Sequence, residues 1–153
     1  MRENMEERLK SLVQLLRKQG LKLTPQRMVI LNILTQSERH LTADEIFQEA
    51  KKIYPMLSAT TVYRNLEDMT GAGLLSHFRY SGSAMRYDTN IEEHHHFICT
   101  KCGEVRDIYL KTINYDVDTE KFALDRFRID GSELYLNGVC EGCLGNSVND
   151  KVR

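Results

Sequence analysis

Two cysteine pairs and one run of histidines carry most of the chemistry available to this chain. The pairs are Cys99-Thr-Lys-Cys102 and Cys140-Glu-Gly-Cys143. Two residues between thiolates let both sulfurs turn toward one ion, and two such pairs fill a tetrahedral zinc shell. The opening segment, MRENMEERLK, is too acidic and polar for a secretory leader, and no apolar run is long enough to span a bilayer. The expected location is therefore the cytoplasm, with no membrane partner, and a reducing compartment favours metal binding over disulfides. The separation between the pairs exceeds that of a zinc ribbon. Each pair is therefore expected to end its own strand, with a sheet bringing the two together and Gly103 and Gly142 supplying tight turns. Such a site is closed, structural and without catalysis.

The histidines belong elsewhere. In a strand over residues 94–99, positions 94, 96 and 98 share one face and 95, 97 and 99 the other. His94 and His96 thus form a pair facing away from the side on which Cys99 begins its turn, and His95 is the odd one out. The reading is two sites, back to back. Asp88, Glu92, Glu93, Glu104 and Asp107 are the nearby carboxylates that can complete the second. Imidazoles with carboxylates suit Fe(II), Mn(II) or Zn(II) rather than a soft, thiol-seeking ion. His40 lies far away in sequence, and spacing alone does not recruit it.

The elements that must position these groups differ between the two halves of the 153-residue chain. The first half reads as helices. Leu9, Leu12, Val13 and Leu16 repeat at helical spacing, and Gly20 closes that segment. Thr24 as N-cap and Pro25 at the first helical position open a second helix, whose apolar stripe is Val29, Ile30, Ile33 and Leu34. Thr42 and Glu45 have capping-box spacing for a third. A fourth follows Pro55, with Ser58 as N-cap, Val62, Leu66 and Met69 as apolar stripe, and Gly71 or Gly73 beyond its end. Two strands around a Ser-Gly turn come next, over residues 74–88. Short helices followed by a hairpin is the order of a winged helix-turn-helix. On the fourth helix Thr60 and Arg64 point almost opposite the stripe, with Tyr63 on the flank, a set that can reach phosphates and base edges. Glu67 and Asp68 on the same helix suit DNA less well. The second half turns to strand signals at HHHFIC, EVRDIYL and ELYLNGVC, with a helix-like stretch at 115–127, an α+β pattern. Charge divides similarly: residues 1–80 balance at +3 and residues 81–153 at −4, giving the net −1. The expected domains are 1–84 and 85–153, with the hinge between Ser83 and Asp88.

Five segments, LTPQR (23–27), HLTADEIF (40–47), SATTVYRNL (58–66), HHHFICTKCGEV (94–105) and GVCEGC (138–143), make the chain resemble the ferric uptake regulator family of metal-dependent repressors over residues 8–145. The resemblance implies an N-terminal winged helix-turn-helix domain followed by a small α+β dimerisation domain. It implies structural zinc on Cys99, Cys102, Cys140 and Cys143, and a regulatory Fe(II) or Mn(II) on His40, Asp88, His94, His96 and Asp107. It further implies a homodimer that binds double-stranded operator DNA when the regulatory site is filled, with Thr60, Tyr63 and Arg64 on the exposed face of the fourth helix as the expected DNA contacts. Aspartate at positions 107 and 88 resembles the peroxide-sensing branch, in which ligand histidines, here His40 and His94, are oxidised. Ser132 stands where many iron-sensing members carry a histidine of an additional site, so one regulatory site per subunit is expected. An iron-responsive repressor is the near alternative. A zinc-uptake regulator fits less well, because no cysteine is spare for its sensory site. A metalloenzyme fits poorly too: five protein ligands leave little open coordination for a small-molecule substrate, and no acid or base stands apart from them.

Overall fold

The computed structural model describes residues 5–37, 39–111, 126–128 and 132–146. By contacts the chain divides into two units, Met1–Glu92 and Glu93–Arg153.

The first unit begins with α1 (Met5–Lys18) and α2 (Pro25–Gln36), then β1 (Leu41–Thr42), α3 (Ala43–Ile53), α4 (Ala59–Gly71) and the hairpin β2 (Ser76–Phe78) and β3 (Arg86–Asp88). Local chemistry sets each helix start. The Thr24 side chain accepts from the Arg27 N–H with Pro25 in the first turn, Thr42 and Glu45 complete a reciprocal capping box, and the Ser58 side chain accepts from the Thr61 N–H. Gly20 and Gly73, with φ of 75° and 73°, end α1 and α4 alike. The N–H of the residue after each glycine, Leu21 or Leu74, reaches back to the carbonyl of Leu16 or Met69, a left-handed cap that costs other residues more. Gly73 thus supplies the cap expected from Gly71 or Gly73. One apolar core gathers Leu12 and Leu16 of α1, Ile30, Leu31, Ile33 and Leu34 of α2, Ile46 of α3, and Val62, Leu66 and Met69 of α4. Leu31 is fully buried beside the expected stripe, so α2 is covered on more than one face. Truncating a side chain such as Leu66 there costs about 2–5 kcal/mol.

The small sheet of this unit runs β1-β3-β2, antiparallel throughout, with Leu41 opposite Tyr87 and His77 opposite Tyr87 on the other edge. This moves the boundary. Arg86 and Tyr87 are paired on both sides, and Asp88 on one, by strands of the helical unit, so the division falls after Glu92 and not at 84/85. Strand β1 was not anticipated, because two residues carry no alternation to read.

The second unit contains β4 (His95–Cys99), β5 (Val105–Ile108), β6 (Tyr135–Gly138) and α5 (Glu141–Asn146), with sheet order β5-β4-β6. The β4–β5 pair is antiparallel and tightly joined, whereas β4–β6 is parallel and requires a long crossover. The helix expected at 115–127 falls almost wholly outside the described residues. Gly103 makes the expected left-handed turn, φ 73°. Gly142 does not. It lies inside α5, and the second cysteine pair is turned by that helix, where Cys143 and Leu144 N–H groups bond back to the Cys140 carbonyl.

Candidate metal centres

Sheet register builds the cysteine cluster. Cys99 ends β4 opposite Gly138 of β6, so the chain leaving β6 delivers Cys140 beside it. The close approach depends on Gly138: a Cβ there would lie 2.9 Å from the Phe97 ring. Its carbonyl accepts from both the N–H and the hydroxyl of Thr100, at 2.8 and 3.0 Å. The Cys102 and Cys140 sulfurs are 3.6 Å apart, and all four sulfurs lie within 4.8 Å of one another. Sulfurs about 2.3 Å from one tetrahedral ion stand roughly 3.8 Å apart. The geometry is that of a zinc shell, and all four expected ligands are in it.

The electrostatics ask for a cation. Cys99 is lowered to about 6 by N–H groups aimed at its sulfur, that of Cys140 first and then those of Cys102 and Lys101. Cys140 is pushed up to about 12: the Cys143 N–H acts to lower it, but the Glu104 carboxylate, burial and the neighbouring thiols outweigh this. Cys143 is raised as well, chiefly by the Cys102 thiol. Four sulfurs this close cannot all ionise against one another, and a dication removes the conflict. Loading zinc into metal-free protein near pH 8 is therefore expected to expel the protons of Cys140 and Cys143, while Cys99, already ionised above about 6, gives up little. Calorimetry in buffers of different ionisation enthalpy reads this directly. A heat independent of buffer would contradict it.

The second group of donors is built separately in each unit. In the helical unit, the β1–β3 register carries His40 alongside Asp88, and His40 Nε2 lies 3.0 Å from Asp88 Oδ2. Both residues are buried. The other Asp88 oxygen accepts from the Asn90 N–H at 2.8 Å, with the Arg8 guanidinium 3.7 Å away. The His40 ring packs edge-on against Phe78, and its backbone carbonyl accepts from Arg86 Nη1 at 2.7 Å. In the second unit, His96 on β4 stands opposite Asp107 on β5. His94 Nε2 is 3.1 Å from His96 Nε2 and 3.7 Å from Asp107 Oδ1. Two nitrogens each about 2.1 Å from one ion and at right angles to each other sit roughly 3 Å apart, so this pair is spaced as ligands of a single metal. Tyr135 stacks on His96 and Tyr109 tilts against His94, fixing both rings.

The remaining candidates sort themselves out. His95 is buried on the opposite face, where its Nδ1 accepts from the Leu134 N–H at 3.3 Å and so helps clip β6 to β4. Glu92 and Glu93 are exposed, and Glu104 pairs with Arg106 at 2.7 Å. On α4, Thr60, Tyr63 and Arg64 are exposed while Val62, Leu66 and Met69 are buried. Asp68 is tied at 2.7 Å to Arg27 of α2, which also donates to the Lys22 carbonyl. The carboxylate that counted against this face therefore serves to fix the helix. Nothing in local spacing reveals that pairing.

The sequence profile of the Ferric uptake regulator family matches residues 18–137. The chain belongs to the ferric uptake regulator family. Among its relatives, the Peroxide-responsive repressor PerR of Staphylococcus aureus is 34% identical over 143 residues, which is 92% of this chain and 95% of that protein. A zinc-bound manganese uptake regulator superposes with a TM-score of 0.64 at 29% identity, covering 84% of this chain and 98% of that one. The ferric uptake regulator of Helicobacter pylori, described as having three functional metal-binding sites, superposes with a TM-score of 0.63 at 25% identity over 93% and 95%. Metal-responsive regulation is thus the family's business, and an α+β fold its architecture. No helix among the described residues is long and apolar enough to cross a membrane.

Proposed function

We propose that this ferric uptake regulator family member is a transcriptional repressor that binds operator DNA as a homodimer when a regulatory Fe(II) or Mn(II) is bound. One observation carries the reading. Each unit presents buried or half-buried imidazole–carboxylate donors at ligand-like spacing, His40 with Asp88 in the one and His94, His96 and Asp107 in the other. In this reading the five share one metal. A ligand set drawn from both units would favour a single arrangement of the unit carrying Thr60, Tyr63 and Arg64, and two such units in a dimer would meet successive half-sites of the duplex. Zinc on Cys99, Cys102, Cys140 and Cys143 would hold the second unit folded throughout.

The signal is peroxide. Asp88 and Asp107 are short carboxylates of the kind found in the peroxide-sensing branch, and the Staphylococcus aureus relative bears that activity in its name. His40, Asp88, His94, His96 and Asp107 would hold Fe(II), which would supply the electrons that reduce peroxide, and His40 and His94 would be the residues that take up oxygen. Oxidised imidazoles are poorer donors, so the ligand set fails and the operator is released. Metal-free protein reloaded with Fe(II) is expected to bind an operator duplex and lose it on peroxide treatment, gaining oxygen mass on the peptides holding His40 or His94. The Mn(II) form binds and resists. Iron-loaded protein that binds DNA but shows no added oxygen on either histidine would replace the peroxide reading with an iron-responsive one. Failure to bind DNA with either metal would overturn the repressor reading itself.

A further inference from the structure

The amino end of α3 joins a proposed metal ligand to the proposed DNA-reading helix within one unit. Asp44 lies in the first turn of α3, between the two capping-box residues Thr42 and Glu45, and its Oδ1 accepts a hydrogen bond from the Tyr63 hydroxyl at 3.0 Å. Tyr63 sits on the exposed face of α4 beside Arg64. A ring on an exposed helix face otherwise samples several rotamers, each lost on binding. The hydrogen bond selects one. Asp44 also holds the pKa of the Tyr63 hydroxyl above its ordinary value, chiefly through that hydrogen bond, and so keeps it protonated as a donor.

The same helix end is tied back toward His40. Glu45 Oε2 accepts from the Thr42 N–H at 2.8 Å to close the capping box, and Arg86 Nη1 stands 3.7 Å from that oxygen while donating to the His40 carbonyl. Between His40 and Asp44 the backbone passes through β1, which is paired to β3 at Tyr87 and Arg86. From the His40 carbonyl to the Tyr63 hydroxyl the path runs entirely through hydrogen bonds, one ion pair and a few residues of fixed backbone.

We propose that Asp44 is a positioning residue that sets the Tyr63 ring for DNA recognition, and that Arg86 and the Thr42–Glu45 capping box tie this setting to the backbone of His40. The proposal deepens the repressor reading and rests on it. Its sign is unusual. Removing a carboxylate from a surface that approaches phosphates should strengthen DNA binding by charge alone. Asp44→Ala is expected to weaken it instead, by about 3- to 10-fold for specific sites, the range that matches the net worth of one ordinary hydrogen bond, as suits a pair exposed to water. Asp44→Asn keeps an acceptor oxygen and should bind at least as well as the parent.

The test uses the full-length Mn(II)-loaded protein and a duplex selected by that protein from a random pool. Operator affinity is measured for the parent, Asp44→Ala, Asp44→Asn, Tyr63→Phe and the Asp44→Ala/Tyr63→Phe pair, with zinc content and thermal melting as folding controls. The expected result is that Asp44→Ala costs nothing further once Tyr63 has lost its hydroxyl, and that Arg86→Met shrinks the gain in affinity produced by Mn(II). Losses that add in the pair, or tighter binding by Asp44→Ala, would overturn the role of Asp44. An undiminished Mn(II) gain in Arg86→Met would overturn the tie to His40. Should the parent itself select no duplex, the functional reading has failed rather than this inference.

Discussion

Cys99→Ser is expected to abolish zinc retention and, with it, the folded second unit. Cys99 closes β4, accepts the Cys140 N–H at 3.3 Å and has its thiol lowered to about 6 by that and neighbouring N–H groups. A serine hydroxyl is a poor substitute for a thiolate at zinc. Structural zinc in small domains contributes about 10–16 kcal/mol of apparent binding free energy, much of it realised as folding. The second unit has a three-stranded sheet and few buried apolar side chains of its own among the described residues, Ile98 and Val105 beside the cysteines. Such a sheet cannot replace a contribution of that size. The helical unit has its own core and should stay folded, so the expected signature is a protein that is zinc-free and monomeric yet still largely helical. Sedimentation, metal analysis and circular dichroism read the three parts separately. A zinc-free variant that keeps its dimer would remove the structural role of the cluster.

His40→Ala is expected to leave the four-cysteine zinc and the proposed dimer intact while abolishing the proposed metal-activated DNA binding. His40 and Asp88 are the proposed ligands in the helical unit, held together at 3.0 Å. Shifting a two-state protein from almost wholly inactive to almost wholly active takes about 5.5 kcal/mol of differential metal affinity. Ligands confined to the second unit bind equally well whatever the first unit does, and so supply no differential. In the proposed reading, Mn(II) would without His40 still meet His94, His96 and Asp107, but its binding would no longer bear on α4. Because His40 also packs on Phe78, the melting of the helical unit must be followed alongside, and Asp88→Asn serves as a variant that leaves this packing in place. Metal-dependent repression surviving in both variants would place the sensory site wholly within the second unit.

What the sequence disclosed and what it hid follow the range of the interactions involved. Thr24 with Pro25, Thr42 with Glu45, and Ser58 each act on backbone groups within one turn, so the helix starts were legible from spacing. The face of α4 was legible for the same reason, because Val62, Leu66 and Met69 define one side and thereby the other. The cysteine cluster was readable because paired thiols have a fixed reach, and the separation of His94 and His96 from Cys99 because strands alternate. Long-range pairings were not readable. The parallel register of β4 with β6, the ion pair of Arg27 with Asp68, and the Tyr63–Asp44 hydrogen bond join residues whose meeting is decided by the whole fold. Two-residue β1 fell below any periodic signal, and with it went the reason for the boundary after Glu92. Gly142 misled because glycine beside a cysteine suggests a turn, whereas here a helix does the turning.

The parallel β4–β6 pairing also bears on the order in which the chain can be built. Among the described residues, the buried core cluster of the helical unit runs from Leu12 to Leu75 and its last strand ends at Asp88. A ribosome that has released those residues has released a unit able to fold. The second unit cannot follow at the same pace, because Cys140 meets Cys99 only across a separation of 41 residues, and the central strand β4 lacks one neighbour until β6 has emerged. Until then, Cys99 and Cys102 form an incomplete ligand pair on an unfinished sheet. Zinc capture should therefore be among the last events of synthesis, and zinc-starved cells should accumulate chains whose first unit resists protease while the second is digested. Closing a loop is only slightly dearer when it is longer, about 0.6 kcal/mol for each doubling. Changes of length between β5 and β6 should therefore cost little, while changes to the two residues inside each cysteine pair should not be tolerated.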